Sequence, residues 1–291
     1  MNLFSLKGKT ILVMGALTKN SLGFGIAQAA REAGAKLLMT AGNPDLMDRV
    51  QKLADDIGGK QLHSCDVGHD EEIKMLAKTL EQYAPIHGLV HSIAFAFKDE
   101  LAGPYVRNTS RLGFHTAMDV SVYSLTALCN HFEPLMADDA SVVTLSFYAS
   151  TRVFANYNAM AVAKSALEAS VRSLAVDLGP RGIRVNAISA SPANTLAAAG
   201  VKNKYLVGDV ARAMSPLSRL ASLEEVGAAG AFLLSAASGA ITGATLPVNC
   251  GVEITAHAPA YNANAMVAAM TRAAEARIPY VGMEKADGEK A

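Results

Sequence analysis

The chain has 291 residues, of which 51% are hydrophobic and 18% charged, and its 26 basic side chains balance its 26 acidic ones. This composition supplies a large apolar core and excludes intrinsic disorder, and the zero net charge gives no electrostatic footprint for nucleic acid. The first residues do not combine a basic segment with a long apolar segment, as a signal peptide does. No apolar run approaches the roughly eighteen residues that a membrane span needs. We therefore expect a soluble, cytoplasmic protein that does not span or bind a membrane.

The first predicted unit is a strand, a glycine turn and a helix. Residues 9–14 (KTILVM) are apolar, and Gly15, Gly23 and Gly25 bracket a turn before a helix that ends at Gly34. Glycine lets the backbone approach a pyrophosphate closely, and helix N-terminal amides favour its negative charge. Because the spacing is not G-x-G-x-x-G, a generic glycine-rich turn is an equal alternative for this stretch alone.

The end of the second predicted strand, residues 36–43, bears on the choice of cofactor. An acidic residue at this position binds a ribose 2′-hydroxyl, and a basic one favours a 2′-phosphate. The sequence has Thr40, Ala41, Gly42 and Asn43, which are neither. Without a cation to neutralise a phosphate, we expect NAD(H) to be favoured over NADP(H).

The remaining elements alternate between helix and strand. Ser222 and Glu225 form a capping box at the start of a late helix. Other helices are predicted at 46–57, 71–83, 114–136 and 265–276. Further strands are predicted at 60–67, 86–96, 141–145, 182–189 and 245–249. Seven strands alternating with helices predict an α/β fold with a single doubly wound, Rossmann-type parallel sheet and helices on both faces.

Two segments after the sixth strand complete the predicted organisation. The Ala-rich stretch at about 193–216 follows the carboxyl end of a strand, where mobile covers over substrates occur, so we predict a substrate lid there. We assign residues 1–256 to the main domain, lid included, and 257–291 to a C-terminal extension. The three cysteines are widely spaced and the seven histidines scattered, so we expect reduced thiols and no metal site.

The segment from Ser146 to Ala166 is the strongest candidate for catalysis. A strand ends in it, and a helix with good helix formers runs from Tyr157 to the residue before Gly179. Tyr157 and Lys164 are seven residues apart, so both side chains leave one face of that helix. A phenol can donate a hydrogen bond to an oxygen that gains negative charge, and an ammonium can hold a diol or lower the pKa of the phenol. A buried tyrosine and a solvated lysine are the alternative for this spacing on its own.

With these residues the chain resembles the enoyl-acyl-carrier-protein reductases of type-II fatty-acid synthesis, divergent members of the short-chain dehydrogenase/reductase family. The resemblance covers about residues 5–256. Six matches carry it: G-A-x4-S-L-G-x-G at 15–25, C-D-V at 65–67, H-S-I-A at 91–94, Tyr157-x6-Lys164, R-V-N-A-I-S at 184–189 and P-x2-T-L-A-A-x-G at 192–200. Carbonyl-reducing relatives carry lysine four residues after the tyrosine, where this chain has Ala161.

The resemblance implies roles for particular residues. Tyr157 would hydrogen-bond the thioester oxygen and Lys164 would hold the nicotinamide ribose. The other implied cofactor-binding residues are Gly15, Ala16, Ser21 and Leu22 at the pyrophosphate, Asp66 and Val67 at the adenine, Ser92, Ile93 and Ala94 along the ribose and nicotinamide, and Thr195 near the carboxamide. The implied substrate residues are Phe147, Tyr148, Tyr157, Met160, Ala197 and Val207. From the sequence alone, Asp66 could equally cap the helix that starts near His69.

The implied activity is NADH-dependent reduction of the trans-2 double bond of an enoyl thioester carried by acyl carrier protein, in a cytoplasmic homotetramer. One departure stands beside the catalytic residues: bacterial members usually have a tyrosine ten residues before the catalytic one, and here that residue is Phe147. Two alternatives therefore stay open. The protein could reduce another activated alkene or a carbonyl in secondary metabolism, or it could be a weakly active or silent nucleotide-binding paralogue.

Overall fold

Seven parallel strands form one sheet in the computed structural model, which describes residues 2–154, 156–192 and 204–275. The strand order is 3-2-1-4-5-6-7, and every neighbouring pair is parallel. The direction of winding reverses between β1 and β4, and open α/β sheets bind their ligands at such a reversal. The predicted doubly wound sheet of seven strands is confirmed.

The strands agree with the sequence prediction in number and order. They are β1 (Thr10–Met14), β2 (Lys36–Thr40), β3 (Lys60–Gln61), β4 (Ile86–His91), β5 (Met136–Ser146), β6 (Arg184–Ala190) and β7 (Thr245–Val248). β3 is much shorter than the predicted 60–67 because it lies at the edge of the sheet and pairs only with β2. Beyond it, the Leu62 and Cys65 amides still donate to β2 and to Ala41, in an irregular pattern.

Ten α-helices connect and flank the strands in the described ranges. They are α1 (Leu22–Glu32), α2 (Met47–Asp56), α3 (Asp70–Leu80), α4 (Lys98–Leu101), α5 (Arg111–Met118), α6 (Ser124–Phe132), α7 (Asn158–Leu178), α8 (Lys204–Met214), α9 (Leu223–Leu234) and α10 (Ala263–Glu275). None of these helices is both long enough and apolar enough to cross a lipid bilayer.

The long helix predicted at 114–136 is present with different bounds, since residues 111–132 are helical without a break. A π-helical turn at Asp119–Tyr123 separates α5 from α6, and the chain has already entered β5 at Met136. Within that turn the Ser121 hydroxyl accepts from the Phe95 amide at 3.0 Å and donates to the Phe95 carbonyl at 3.2 Å. The turn is therefore tied to the loop after β4, a long-range contact that helix propensity does not report.

Alternate residues of the strands fill two separate cores, one on each face of the sheet. In β1, Leu12 and Met14 pack with α3, α6 and α7, whereas Ile11 and Val13 pack with α1, α2 and α9. Side chains of a strand alternate between its faces, so strands buried on both faces are apolar at nearly every position. The KTILVM run has this composition because both faces of β1 are covered.

The R-V-N-A-I-S motif supports the fold rather than the chemistry. Arg184 of β6 is buried, and its guanidinium donates to the carbonyls of Leu233 at 2.9 Å and Ser235 at 3.1 Å. These carbonyls belong to the end of α9, where a helix lacks intrahelical donors. Asn186 donates to the Ile241 carbonyl at 2.8 Å. The motif thus fixes α9 and the approach to β7.

The predicted capping box at the start of α9 is confirmed and can be tested. The Ser222 hydroxyl accepts from the Glu225 amide at 3.2 Å, and the Glu225 carboxylate accepts from the Ser222 amide at 2.8 Å. We predict that Ser222→Ala lowers the free energy of unfolding by about 1 kcal/mol, measured by chemical denaturation. Ser173→Ala, at an exposed position inside α7, is the control and should change it much less. Equal losses in the two variants would contradict the capping role.

Candidate active site

A cleft of about 1400 Å³ opens at the carboxyl ends of the central strands. Its walls include Gly15 after β1, Ser92 after β4, Phe147 after β5 and Ser191 after β6. Loops at this edge of a parallel sheet converge at the point where the winding reverses. The cleft therefore lies where the topology alone places a ligand.

The glycine turn forms the narrow wall between β1 and α1. Gly15 has φ +87°, and a Cβ on it would overlap the Ser92 carbonyl, so only glycine fits there without strain. The Ser21 hydroxyl accepts from the amides of Leu17 at 3.2 Å and Thr18 at 2.9 Å, which shapes the turn. The first turn of α1 leaves amides without intrahelical acceptors, facing the position a pyrophosphate needs. Gly15, Ser21 and Leu22 line the cleft, whereas Ala16 is buried behind it.

Asp66 lines the opposite end of the cleft with Val67 and residues 40–42. Its carboxylate accepts from the Gly68 amide at 2.9 Å and lies 3.5 Å from the His69 ring. His69, not Asp66, is the residue that precedes α3, so the alternative role of Asp66 as the helix cap is wrong. One carboxylate oxygen closes a turn, and the group remains half exposed at the cleft wall. No arginine or lysine lines this part of the described cleft.

Tyr157 lies immediately before α7 rather than inside it, and its side chain lines the cleft. Its ring packs edge-on against Phe147, with centroids 5.2 Å apart, and against Phe154 at 6.1 Å. Burial raises the pKa of the Tyr157 phenol above its ordinary value of 10.0. The hydroxyl therefore stays protonated at neutral pH and is available as a hydrogen-bond donor.

Lys164 lines the same cleft two helical turns further along α7. Its side chain is buried, and its ammonium donates to the Leu145 carbonyl at the end of β5 at 2.7 Å. Burial lowers the pKa of Lys164 to about 8, while the charge of Glu168 acts in the opposite direction. One of the three ammonium hydrogens is used by the carbonyl, which leaves two for a ligand in the cleft.

Two buried polar residues support this pair, and the sequence patterns gave neither of them a role. Glu168 follows Lys164 by one turn of α7 and accepts a short hydrogen bond from Ser146 of β5. His91 of β4 lies under the cleft, with its ring nitrogens 2.9 Å from the Thr144 and Ser124 hydroxyls. Burial and the Lys164 charge lower the pKa of His91 to about 3, so the ring is neutral. The i, i+4 spacing of Lys164 and Glu168 was the available signal.

One end of the cleft, the apolar end, is lined mostly by apolar side chains, together with Asp209 and Arg212 of α8. Phe147, Met160 and Val207, which the resemblance implied for the substrate, line this end, and Phe154 completes the aromatic wall. Tyr148 does not line the cleft; it packs behind the wall against Ala211 and Val252. Ala197 and Thr195, with the predicted lid up to residue 203, lie outside the described residues. Ser92, Ile93 and Ala94 line the central part of the cleft.

The wall residues fit an extended dinucleotide with a redox ring beside Tyr157. A glycine that admits no side chain faces the pyrophosphate position, a carboxylate faces the adenosine end and a buried ammonium faces the centre. The described residues contain no cluster of three or more His, Cys, Asp or Glu side chains that could hold a metal ion. Fold and site together define a dinucleotide-binding oxidoreductase of the short-chain dehydrogenase/reductase class.

Comparison with known proteins narrows this class. A family model described as enoyl-(acyl carrier protein) reductase matches residues 15–253. The enoyl-acyl-carrier-protein reductase (NADH) of Bacillus subtilis is 44% identical over 256 residues, which cover 87% of this chain and 99% of that protein. The crystal structure of the reductase (NADH) from Aquifex aeolicus has a TM-score of 0.84 and 41% identity, covering 86% of this chain and 98% of that one. The chain belongs to the enoyl-acyl-carrier-protein reductase family.

A second solved structure contains NAD. The enoyl-acyl-carrier-protein reductase from Anaplasma phagocytophilum was crystallised in complex with NAD. It has a TM-score of 0.83 and 38% identity, covering 88% of this chain and 95% of that one. At this identity the likeness extends beyond the fold, and the resemblance that the sequence motifs indicated is confirmed.

The titration of Lys164 gives a prediction that can be tested without substrate. We expect the Lys164 side chain to titrate near pH 8, because burial disfavours its ammonium. Glu168→Gln removes a negative charge but keeps an acceptor for Ser146, so the titration midpoint should move to lower pH. NMR of the lysine side-chain carbons, with Lys164→Met for assignment, measures both values. Glu71→Gln, an exposed carboxylate on α3, is the matched control; a midpoint unmoved by Glu168→Gln would exclude the coupling.

Proposed function

We propose that Tyr157 and Lys164 carry out the NADH-dependent reduction of the trans-2 double bond of an enoyl thioester, the reaction for which this family is named. The observation that carries the proposal is the placement of both side chains in one cleft, at the carboxyl ends of the strands and beside an apolar slot. Ala161 occupies the position where carbonyl-reducing relatives have their lysine. The resemblance to the family therefore favours reduction of a carbon–carbon double bond.

Bound NADH supplies the hydride that adds to the β-carbon of the substrate. The protein stabilises the negative charge that then develops on the thioester oxygen, until a proton adds to the α-carbon and completes the reduction. Tyr157 is suited to this role because its phenol is protonated and buried, and its ring packs against Phe147. A hydrogen bond to an oxyanion is stronger in such a low-dielectric site than in water. Lys164 holds the ribose hydroxyls of the cofactor with its remaining ammonium hydrogens, and its positive charge lines the same cleft as the Tyr157 phenol.

NADH is favoured over NADPH as the cofactor. The cleft wall after β2 is formed by Thr40, Ala41 and Gly42, which offer no cation for a 2′-phosphate. The relative from Bacillus subtilis is named for NADH, and that from Anaplasma phagocytophilum was solved with NAD. Asp66 and Val67 contact the adenine, and Gly15, Ser21 and Leu22 the pyrophosphate.

The acyl chain occupies the apolar end of the cleft, between Phe147, Met160 and Val207. Acyl carrier protein is the physiological carrier, as the names of the relatives indicate for those proteins. The enzyme works in the cytoplasm. It is a homotetramer, which is supported by exposed apolar side chains along α5 and α7, such as Leu112 and Val176. Analytical ultracentrifugation tests the oligomeric state.

A substrate panel tests the reaction directly. NADH oxidation is measured with trans-2-enoyl thioesters of increasing chain length, on carrier protein and on N-acetylcysteamine, and with ketones. We expect turnover of the enoyl thioesters only. Turnover of ketones alone would favour the reductase of secondary metabolism. NADH binding without any turnover would favour a silent paralogue, the alternative that the missing hydroxyl at Phe147 motivates.

Removing the Tyr157 hydroxyl tests its role in stabilising the transition state. We predict that Tyr157→Phe lowers kcat on an enoyl thioester by about 10-fold to 10³-fold, because one oxyanion donor is lost. The NADH dissociation constant should stay the same, since the phenylalanine ring keeps the packing with Phe147. Tyr83→Phe, far from the cleft, is the control. A rate equal to that of the unmodified enzyme would remove Tyr157 from the mechanism.

A further inference from the structure

Helix α8 forms part of the wall at the apolar end of the cleft. Val207, Gly208, Asp209 and Arg212 all line it. α8 has only 11 residues, and a helix of that length is marginally stable without tertiary packing. One side of α8 faces the open cleft, so its stability has to come from packing on its other sides.

The C-terminal helix α10 supplies this packing. α10 lies against α8, and alanines are buried on both helices: Ala211 and Ala213 on α8, and Ala269 on α10. Small side chains let two helix backbones approach closely, which increases the dispersion contact between them. Val252 and Tyr148 complete the packing around Ala211. The wall of the cleft is therefore backed by a segment that follows β7 in the chain.

Hydrogen bonds attach the same segment to the turn after α8. Asn262 is 7% exposed, donates to the Ser215 carbonyl at 3.0 Å and accepts from the Ser218 hydroxyl at 2.9 Å. The Tyr261 hydroxyl donates to the Pro216 carbonyl at 2.9 Å, and the Thr255 hydroxyl donates to the Met214 carbonyl at 3.0 Å. These contacts fix the carboxyl end of α8 from outside the cleft.

An ion pair reaches from α10 to the cleft wall itself. Arg272 donates to one Asp209 oxygen at 2.7 Å, and Arg212 donates to the other at 2.9 Å. Asp209 and Arg212 line the cleft, whereas Arg272 does not. Arg272 therefore sets the orientation of a cleft residue without facing the cleft.

The family model ends at residue 253, and α10 lies beyond that residue. We infer that residues 254–275 form a clamp that holds α8 in place as the substrate-side wall of the cleft, with Arg272 as a positioning residue that acts through Asp209. The inference rests on the proposed function in one respect, that the cleft binds an enoyl thioester. It also gives a role to the described part of the C-terminal extension assigned at 257–291.

The clamp affects the two ligands of the cleft differently. α8 borders the apolar end, while Gly15, Ser21 and Asp66 border the dinucleotide end. Loosening α8 should therefore weaken substrate binding and leave cofactor binding and the Tyr157 chemistry unaffected. A general loss of stability would not produce this difference between the two ligands. Partial unfolding lowers the amount of active enzyme and therefore the apparent kcat, without raising the KM for one ligand alone.

The test uses the full chain and a neutral probe, the crotonyl thioester of N-acetylcysteamine, which excludes effects of carrier docking. We expect Arg272→Gln to raise the KM for this thioester about 2- to 5-fold, the range for an exposed ion pair, with kcat and the KM for NADH unchanged. Arg272→Lys should restore most of the loss. Lys74→Gln breaks an exposed ion pair on α3 and should change neither KM.

Amide hydrogen exchange of α8 provides a second measurement that does not depend on activity. Exchange in 207–214 should be faster in Arg272→Gln, and faster still in Ala269→Asp, which places a charge at a fully buried position of α10. Unchanged exchange in Ala269→Asp, or an unchanged thioester KM in Arg272→Gln, would overturn the clamp. If the unmodified enzyme reduces no enoyl thioester, the proposed function fails, and the exchange measurement still decides on the clamp.

Discussion

The site depends on one buried hydrogen bond, from the Lys164 ammonium to the Leu145 carbonyl. Burying a charge is costly unless it is hydrogen-bonded and compensated, and here the carbonyl and the Glu168 carboxylate share that task. The bond joins α7 to the end of β5. Because Tyr157 immediately precedes the same helix, fixing Lys164 against the strand also fixes where the phenol enters the cleft.

The polar residues beneath the cleft extend this constraint across the sheet. His91 of β4 contacts Thr144 of β5 through one ring nitrogen and Ser124 of α6 through the other. Its low pKa keeps the ring neutral, so it adds no charge next to Lys164. The loops after β4 and β5 are thereby held by hydrogen bonds of fixed direction, which apolar packing alone would not supply. A rigid floor of this kind is what precise placement of a reacting group requires.

Much of the fold could be predicted because its signals are local. The apolar strands, the turn at Gly15 and the capping box at Ser222 each require a specific residue type within a few positions. The sequence predictions failed where contacts between residues distant in the chain determine the local structure. The π turn depends on Ser121 bonding to Phe95, and the burial of Glu168 depends on Ser146, a residue on another element. Similarly, adjacent residues Phe147 and Tyr148 could not be told apart, because a 3₁₀ turn after β5 sends one ring into the cleft and the other behind it.

The cleft therefore has two sides with different structural support. The dinucleotide side is built from β1, α1 and β4, whose turns allow little substitution because a backbone carbonyl lies where a side chain on Gly15 would have to be. The proposed substrate side includes α8, which packs against α10, a helix beyond the end of the family model at residue 253. Changes in that segment can alter the acyl end of the cleft without touching Tyr157 or Lys164. A chain organised in this way can keep its chemistry while the shape of its substrate pocket diverges.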